Sequence, residues 1–243
     1  MIVADVRSTL TRDDAEFAVR LIGHAGAGAA AEAEAALRDH GLDAVLDDAR
    51  LLAALLHHAP GAHASLRLFL YVVVRHACIA AGEPDRVLAD YTASVLLHFG
   101  LRDRARRIAA ADDDLCDTLV SISALMDAPD ARRSFLARQH LGNYALWLSG
   151  LFPDHVEHRR WRRGGPDLEY YEAMGRRGYE AAAKHRLAHE HGLEPLFVRA
   201  AEHFPVLRVA LNRVSDTLLF PNVHTPERLM RQVRDDMRWR LVG

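Results

Sequence analysis

The chain has 243 residues, half of them hydrophobic, enough to bury a substantial core as one large domain or two small ones. Its 31 basic and 33 acidic residues nearly cancel, leaving a formal net charge of -2. That balance excludes a strongly basic nucleic-acid binder and leaves only a local patch for such a role; it also lacks the signature of a disordered chain.

Lys184 is the only lysine, so arginine stands wherever lysine would have served, and an arginine cluster carries less information here. Cys78 and Cys116 match no metal-binding spacing and are too few for a disulfide framework, which points to a reducing, cytoplasmic setting. The first sixteen residues hold no long apolar segment, so no signal peptide is expected. The most apolar run, residues 66–81, is interrupted by Arg67, Arg75 and His76 and reads as a buried helix rather than a membrane span.

Helical periodicity runs through the whole chain. Thr11 can cap a helix over residues 12–22, with Ala15, Val19 and Ile22 on one face. Glycines 23, 26 and 28 then read as a linker, because no strand precedes them and no Lys-Ser/Thr follows as a phosphate loop would need. Further helices are expected over 29–37, closed by Gly41, and over 42–57. Residues 65–81 are apolar nearly all round, the mark of a central helix, and Val72-Val73-Val74 does not alternate as a strand would. A helix opened by Glu83-Pro84-Asp85 carries Val87, Leu88, Tyr91, Val95 and Phe99 at helical spacing. A short charged helix over 102–110 follows, and Asp112-Asp113-Asp114 is an acidic start for a helix through Met126.

The stretch from 134 to 190 organises the rest. It reads as an antiparallel pair of helices, 130–152 and 167–190, joined by an arginine-rich turn near residue 160. His140, Asn143, Tyr144 and Trp147 share a face of the first helix. Tyr171, Met174, Gly175, Gly178, Ala182, His185 and His189 share a face of the second, where the two glycines permit close approach. Helices over 194–203 and 206–220 follow, and Thr225-Pro226 opens a last one. The class is all-α: a compact array of about ten helices around the central pair, with no sheet, as one domain over 1–243. The N-terminal helix in 1–24 and the amphipathic helix in 222–243 can lie at its periphery.

Three constellations could carry chemistry. The first is a ligand pocket between the paired helices, lined by His140, Asn143, Tyr144, Trp147, Tyr171 and Tyr179. His185 and His189, at i and i+4, with Asp130 as third ligand, would be its metal version. Register works against joining this trio to His140, which sits opposite residue 179 and so about 9 Å along the helix from His185 at 1.5 Å per residue. No histidine has a glutamate three positions before it, which removes the usual di-iron signature. The second is the connector, where Arg159, Arg160, Arg162 and Arg163 interleave with Trp161: arginine grips an anion through paired hydrogen bonds and tryptophan stacks on a ring. The third is the last helix, with Met230, Val233, Met237 and Leu241 on one face and Arg231, Arg234 and Arg238 on another. Asp235 and Asp236 favour folding back or a dimer contact over a membrane surface. No Gly-x-Ser-x-Gly supports nucleophilic catalysis.

The runs LGNYALWLSGLFPD and RRGGPDLEYYEAMGRRGYEAAA, with FLYVVVRHACIAAG and LADYTASVLLHFG, resemble a pattern of uncharacterised all-helical bacterial proteins. The resemblance implies a bacterial origin and one integrated domain, and no activity. The expectation is a non-enzymatic interaction or regulatory protein that self-associates, with a protein partner or a second copy and no cofactor. The rival is a helical-bundle enzyme or ligand carrier with a transition-metal or haem-dependent pocket between 130–152 and 167–190. A small anionic ligand at the arginines is compatible with both; nucleic acid is disfavoured.

Overall fold

The computed structural model describes residues 1–101, 104–109, 112 and 115–242, the last five by their backbone alone. Among these residues it contains fourteen α-helices and no strand, and three of the helices have only five or six residues. The all-α array expected from periodicity is therefore present. No helix among the described residues is long and apolar enough to cross a membrane. The chain forms two compact units, one of residues 2–100 and one of residue 1 with 101–243.

The first unit holds α1 (Arg12–Gly23), α2 (Ala29–His40), α3 (Leu42–Leu46), α4 (Ala49–His57), α5 (Leu66–Ala80) and α6 (Arg86–Phe99). Thr11 caps α1 as expected, in a reciprocal box with Asp14 that satisfies two otherwise orphaned backbone donors. The linker glycines do what the sequence suggests: Gly28 takes φ 87° to start α2, a conformation that costs a side-chain-bearing residue strain. The helix expected over 42–57 is divided, because Asp48 turns its carboxylate back to the Arg50 amide and caps a new helix. α5 is a helix despite its three valines, and it packs on α6; Leu68, Tyr71 and Val72 of α5 and Leu88, Tyr91 and Val95 of α6 are all buried. Arg75, buried among them, lays its guanidinium along Asp47 at 2.9 and 3.0 Å and donates to the Pro84 carbonyl.

The second unit holds α7 (Leu119–Ala124), α8 (Ala131–Leu151), α9 (Pro153–Arg163), α10 (Leu168–Ala183), α11 (Arg186–Glu190), α12 (Glu194–Glu202), α13 (Phe204–Val214) and α14 (Pro226–Val242). α13 runs on into a turn of π-helix at Ser215–Leu219. The helix expected to start at the aspartate triplet starts later, at Leu119, where Thr118 and Ser121 cap each other. Asp113, Asp114 and residues 102, 103 and 110 lie outside the described residues; the rest of the expected 102–110 helix holds a single 3₁₀ turn, at Arg104–Arg106.

α8 and α10 are the central antiparallel pair. Gly142 faces Tyr179 and Gly178, while Gly175 faces Ala145, so the paired numbers rise on one helix as they fall on the other. Two expectations about the pair need correcting. The connector is not a turn: Pro153 has the fixed φ a first helical turn wants, the arginines are good helix formers, and α9 ends only at Gly164 with φ 62°. Nor does the second helix reach 190. It stops at Ala183, and His185 accepts the Leu187 amide on Nδ1 to cap the separate α11.

Candidate functional site

The α8–α10 seam is filled where the sequence suggests a pocket. A methyl group on Gly142 would lie 2.5 Å from the Tyr179 ring, and one on Gly178 would lie 2.6 Å from the Gly142 nitrogen. Tyr179 is fully buried, stacks on Phe197 at 6.2 Å, and donates its hydroxyl to Asn143 Oδ1 at 2.9 Å. Asn143 and Tyr179 are therefore brought together, but as a satisfied core pair that leaves no room for a ligand at this level.

The other candidates of that group form an aromatic row along α8. His140 stacks on Tyr144 at 6.1 Å, Tyr144 approaches Trp147 at 5.9 Å, and Trp147 meets Phe152 edge-on at 5.0 Å. The Tyr144 hydroxyl donates to the Asp117 carbonyl. Burial pushes the His140 pKa down to about 3, helped by the Arg104 charge, so its ring is neutral. Burial raises the phenol pKa values of Tyr144 and Tyr171, whose charges would repel each other, and Arg159 lies near enough to oppose both shifts.

The metal candidates are not assembled. Asp130 caps α8 by accepting the Arg133 amide, His185 caps α11 against the ring of Phe135, and exposed His189 turns to Glu194 at 3.2 Å. The break after Ala183 separates the two histidines from the single helical face that the i, i+4 spacing assumed. Among the described residues no three histidine, cysteine, aspartate or glutamate side chains come together to hold a metal ion. Cys78 is also unsuited to nucleophilic work, since burial pushes its thiol up to about 12.

The four arginine candidates sit on α9 and divide by direction. Arg160 lies over the Trp161 ring at 5.6 Å and within 4.0 Å of Glu157 and Asp167. Half-buried Arg159 and exposed Arg162 and Arg163 form no ion pair among the described residues. Arg162 shares one edge of α9 with His155, His158 and Trp161, and that edge walls a cleft of about 500 Å³. The opposite wall is Thr225 and Glu227, at the start of α14. Partial burial, with the charges of Arg159, His158 and Arg163, lowers the His155 pKa. Asp154 also reaches the cleft, but Arg228 and Arg231 already claim its two oxygens.

α14 is fastened by charges. Arg208 of α13, only 2 % exposed, donates to Glu172 of α10, to Asn212, and to Asp235 of α14, each at 2.6 Å. Burial works against its charge, yet Asp235 and Glu172 outweigh that and hold its pKa above the ordinary arginine value. Asn212 in turn donates to the carbonyls of Ser149 and Gly150, near the end of α8. Arg231, 1 % exposed, bonds Asp216 of the π-turn at 2.7 Å, and Arg234 pairs with buried Glu157 of α9. Arg208, Glu172 and Asn212 tie α13 to α10, to α14 and to the end of α8, and were not among the residues the sequence singled out. The available signal was Arg208 and Asn212, one helical turn apart within an otherwise apolar run.

The last helix therefore folds back, as its aspartates suggested, but with Arg228, Arg231 and Asp235 turned inward. Met230 and Met237 are 65 % and 59 % exposed, and Leu229 and Val233 are exposed beside them. The side chains of Arg238 and Leu241, expected on the two stripes, lie outside the described ones. Compared with protein-family models, curated proteins and solved structures, the chain matches none.

Proposed function

We propose that this chain works by association rather than catalysis, and that its contact element is the outward face of α14, paired with α14 of a second copy. The observation that carries this reading is the orientation of the helix. Arg228, Arg231 and Asp235 are spent on buried ion pairs, so Leu229, Met230, Val233 and Met237 can only be covered from outside. Met230, Val233 and Met237 are spaced by three and four, the repeat of a seam between two helices. A helix with that repeat matches another with the same repeat, and a second copy supplies one. Two-fold pairing uses every contact twice, which suits a patch of few side chains.

A groove of about 560 Å³ beside the stripe, lined in part by Pro221, Val223 and Leu229, extends the apolar surface. Stable dimers bury about 800 Å² per partner, more than one helix face supplies, so the association is expected to be concentration-dependent.

Light scattering over a concentration series tests this. The full chain is expected to move from monomer to dimer, and Met230→Glu and Val233→Glu are expected to remain monomeric with an unchanged melting temperature. A full chain that stays strictly monomeric at hundreds of micromolar overturns the reading, as does a dimer that neither substitution weakens.

A further inference from the structure

The cleft between α9 and the start of α14 is a different feature from the apolar stripe, and it has the chemistry of a ligand site. Its α9 wall presents two imidazoles, a guanidinium and an indole from residues 155, 158, 162 and 161, which the 3.6-residue repeat places on one edge. At about 500 Å³ it has the size of a small-molecule site. Trp161 is 66 % exposed and, apart from Arg160 over its ring, offers an open aromatic surface.

The charge balance decides what such a cleft would take. Asp154 is neutralised by Arg228 and Arg231, whereas Arg162, with Arg159 and Arg163 close by on the same helix, has no carboxylate partner among the described residues. The cleft also faces the positive dipole end of a seventeen-residue helix, although Pro226 has no N–H and the Arg228 amide is taken by Thr225 Oγ1, so this end contributes its field rather than a set of free donors. One acid remains for hydrogen bonding, Glu227 on the wall opposite Trp161.

We infer that this cleft binds a small aromatic ligand carrying a phosphate, of the class of a nucleoside monophosphate. Arg162 and His158 take the phosphate, the ring stacks on Trp161, and Glu227 accepts from ribose hydroxyls or an exocyclic amine. Arginine with an open aromatic face suits both halves of such a molecule at once, and neither half alone uses the whole cleft. Because Arg162 and Trp161 are exposed, replacing them leaves the fold intact and isolates recognition.

The test is a titration of the full chain with adenosine 5′-monophosphate, followed by tryptophan fluorescence and calorimetry. Adenosine, ribose 5-phosphate and inorganic phosphate serve as partial probes, with a single-stranded oligonucleotide as the larger competitor. The monophosphate is expected to bind, with quenching, at least tenfold more tightly than any partial probe. Arg162→Ala and Trp161→Ala are each expected to weaken it at least tenfold at unchanged melting temperature, and Met230→Glu to leave it intact. No binding at millimolar monophosphate overturns the inference, and so does binding that both cleft substitutions leave untouched. Inorganic phosphate binding as tightly as the nucleotide removes the aromatic half. An oligonucleotide that binds far more tightly than the monophosphate replaces the small ligand with nucleic acid.

Discussion

Two contacts in the same unit bury their surfaces by opposite means. α10 meets α8 through missing side chains: Gly142, Gly175 and Gly178 let backbones approach, and the rings of Tyr179 and Phe204 fill the space beside them. α14 meets α13, α10 and α9 through full-length charged side chains, with Arg208 and Arg231 among the most deeply buried groups of the molecule. The first contact depends on shape and tolerates no added volume. The second depends on every charge finding its partner, and its cost is an apolar face turned to the outside. A helix held by shape can hide its apolar side; a helix held by ion pairs on its polar side cannot.

The largest effect that separates the two is expected at Arg208. Arg208→Ala strands Glu172 and Asp235 in a buried place, and breaking a buried ion pair on one side costs about 3–5 kcal/mol. Combining Arg208→Met with Glu172→Gln and Asp235→Asn removes the charges together and is expected to recover most of that loss. Urea unfolding of the two variants measures the difference. If Arg208→Ala alone stays within about 1 kcal/mol of the parent chain, the ionic account of α14 fails.

Gly178→Ala probes the other contact. Its new methyl would meet backbone on two sides, the Gly142 nitrogen at 2.6 Å and the Arg138 carbonyl oxygen at 3.0 Å. Backbone cannot rotate away as a side chain does, so the two helices must part. Overpacking of this kind costs about 1–3 kcal/mol, against about 1 kcal/mol gained in helix propensity. A melting temperature that rises on this substitution would mean the seam has slack that the geometry denies.

The two contacts were unequally legible in the sequence. The α8–α10 register follows from the helix ends alone. Residues 151 and 168 bracket the connector, so facing residues sum to about 319 whether turn or helix lies between. That is why the expected partner of His140, residue 179, lies within about one position of the observed pairing of Gly142 with Gly178 although the turn itself was misread as non-helical. Small residues on one face signal close approach without ambiguity. The direction of α14 was hidden, because an amphipathic pattern says which residues share a face and not which face is inward. The usual assumption puts Met230 inside and Arg231 outside; the acids that reverse it are Asp216 and Asp154 for Arg231, 15 and 77 positions away, and Glu157 for Arg234, 77 positions away, and they become partners only after folding. The cleft was half legible. Its arginines and tryptophan stood out, but the wall that completes it, Thr225 and Glu227, comes from the same distant helix.

The contrast extends to ionisable groups, and it gives the smallest of these effects. Arg208 is buried with its charge kept by partners, whereas His140 on α8 is buried with its charge suppressed, its pKa lowered by burial and by Arg104 to about 3. A histidine whose folded pKa lies below its unfolded value of about 6.5 binds fewer protons in the native state, so the native state loses stability as the pH falls through that window. Arginine at Arg208 stays charged on both sides of the transition and contributes no slope there. Between pH 7.5 and 5.5, roughly one unit below the unfolded pKa, His140 is expected to withdraw about 1.4 kcal/mol. His140→Gln keeps a polar side chain of similar reach and removes the titration, so its stability at pH 7.5 is lower but its profile is flatter by that amount. Urea midpoints at the two pH values measure the slope directly, and equal slopes in parent and variant would mean that His140 takes up its proton as readily in the folded protein as in the unfolded chain.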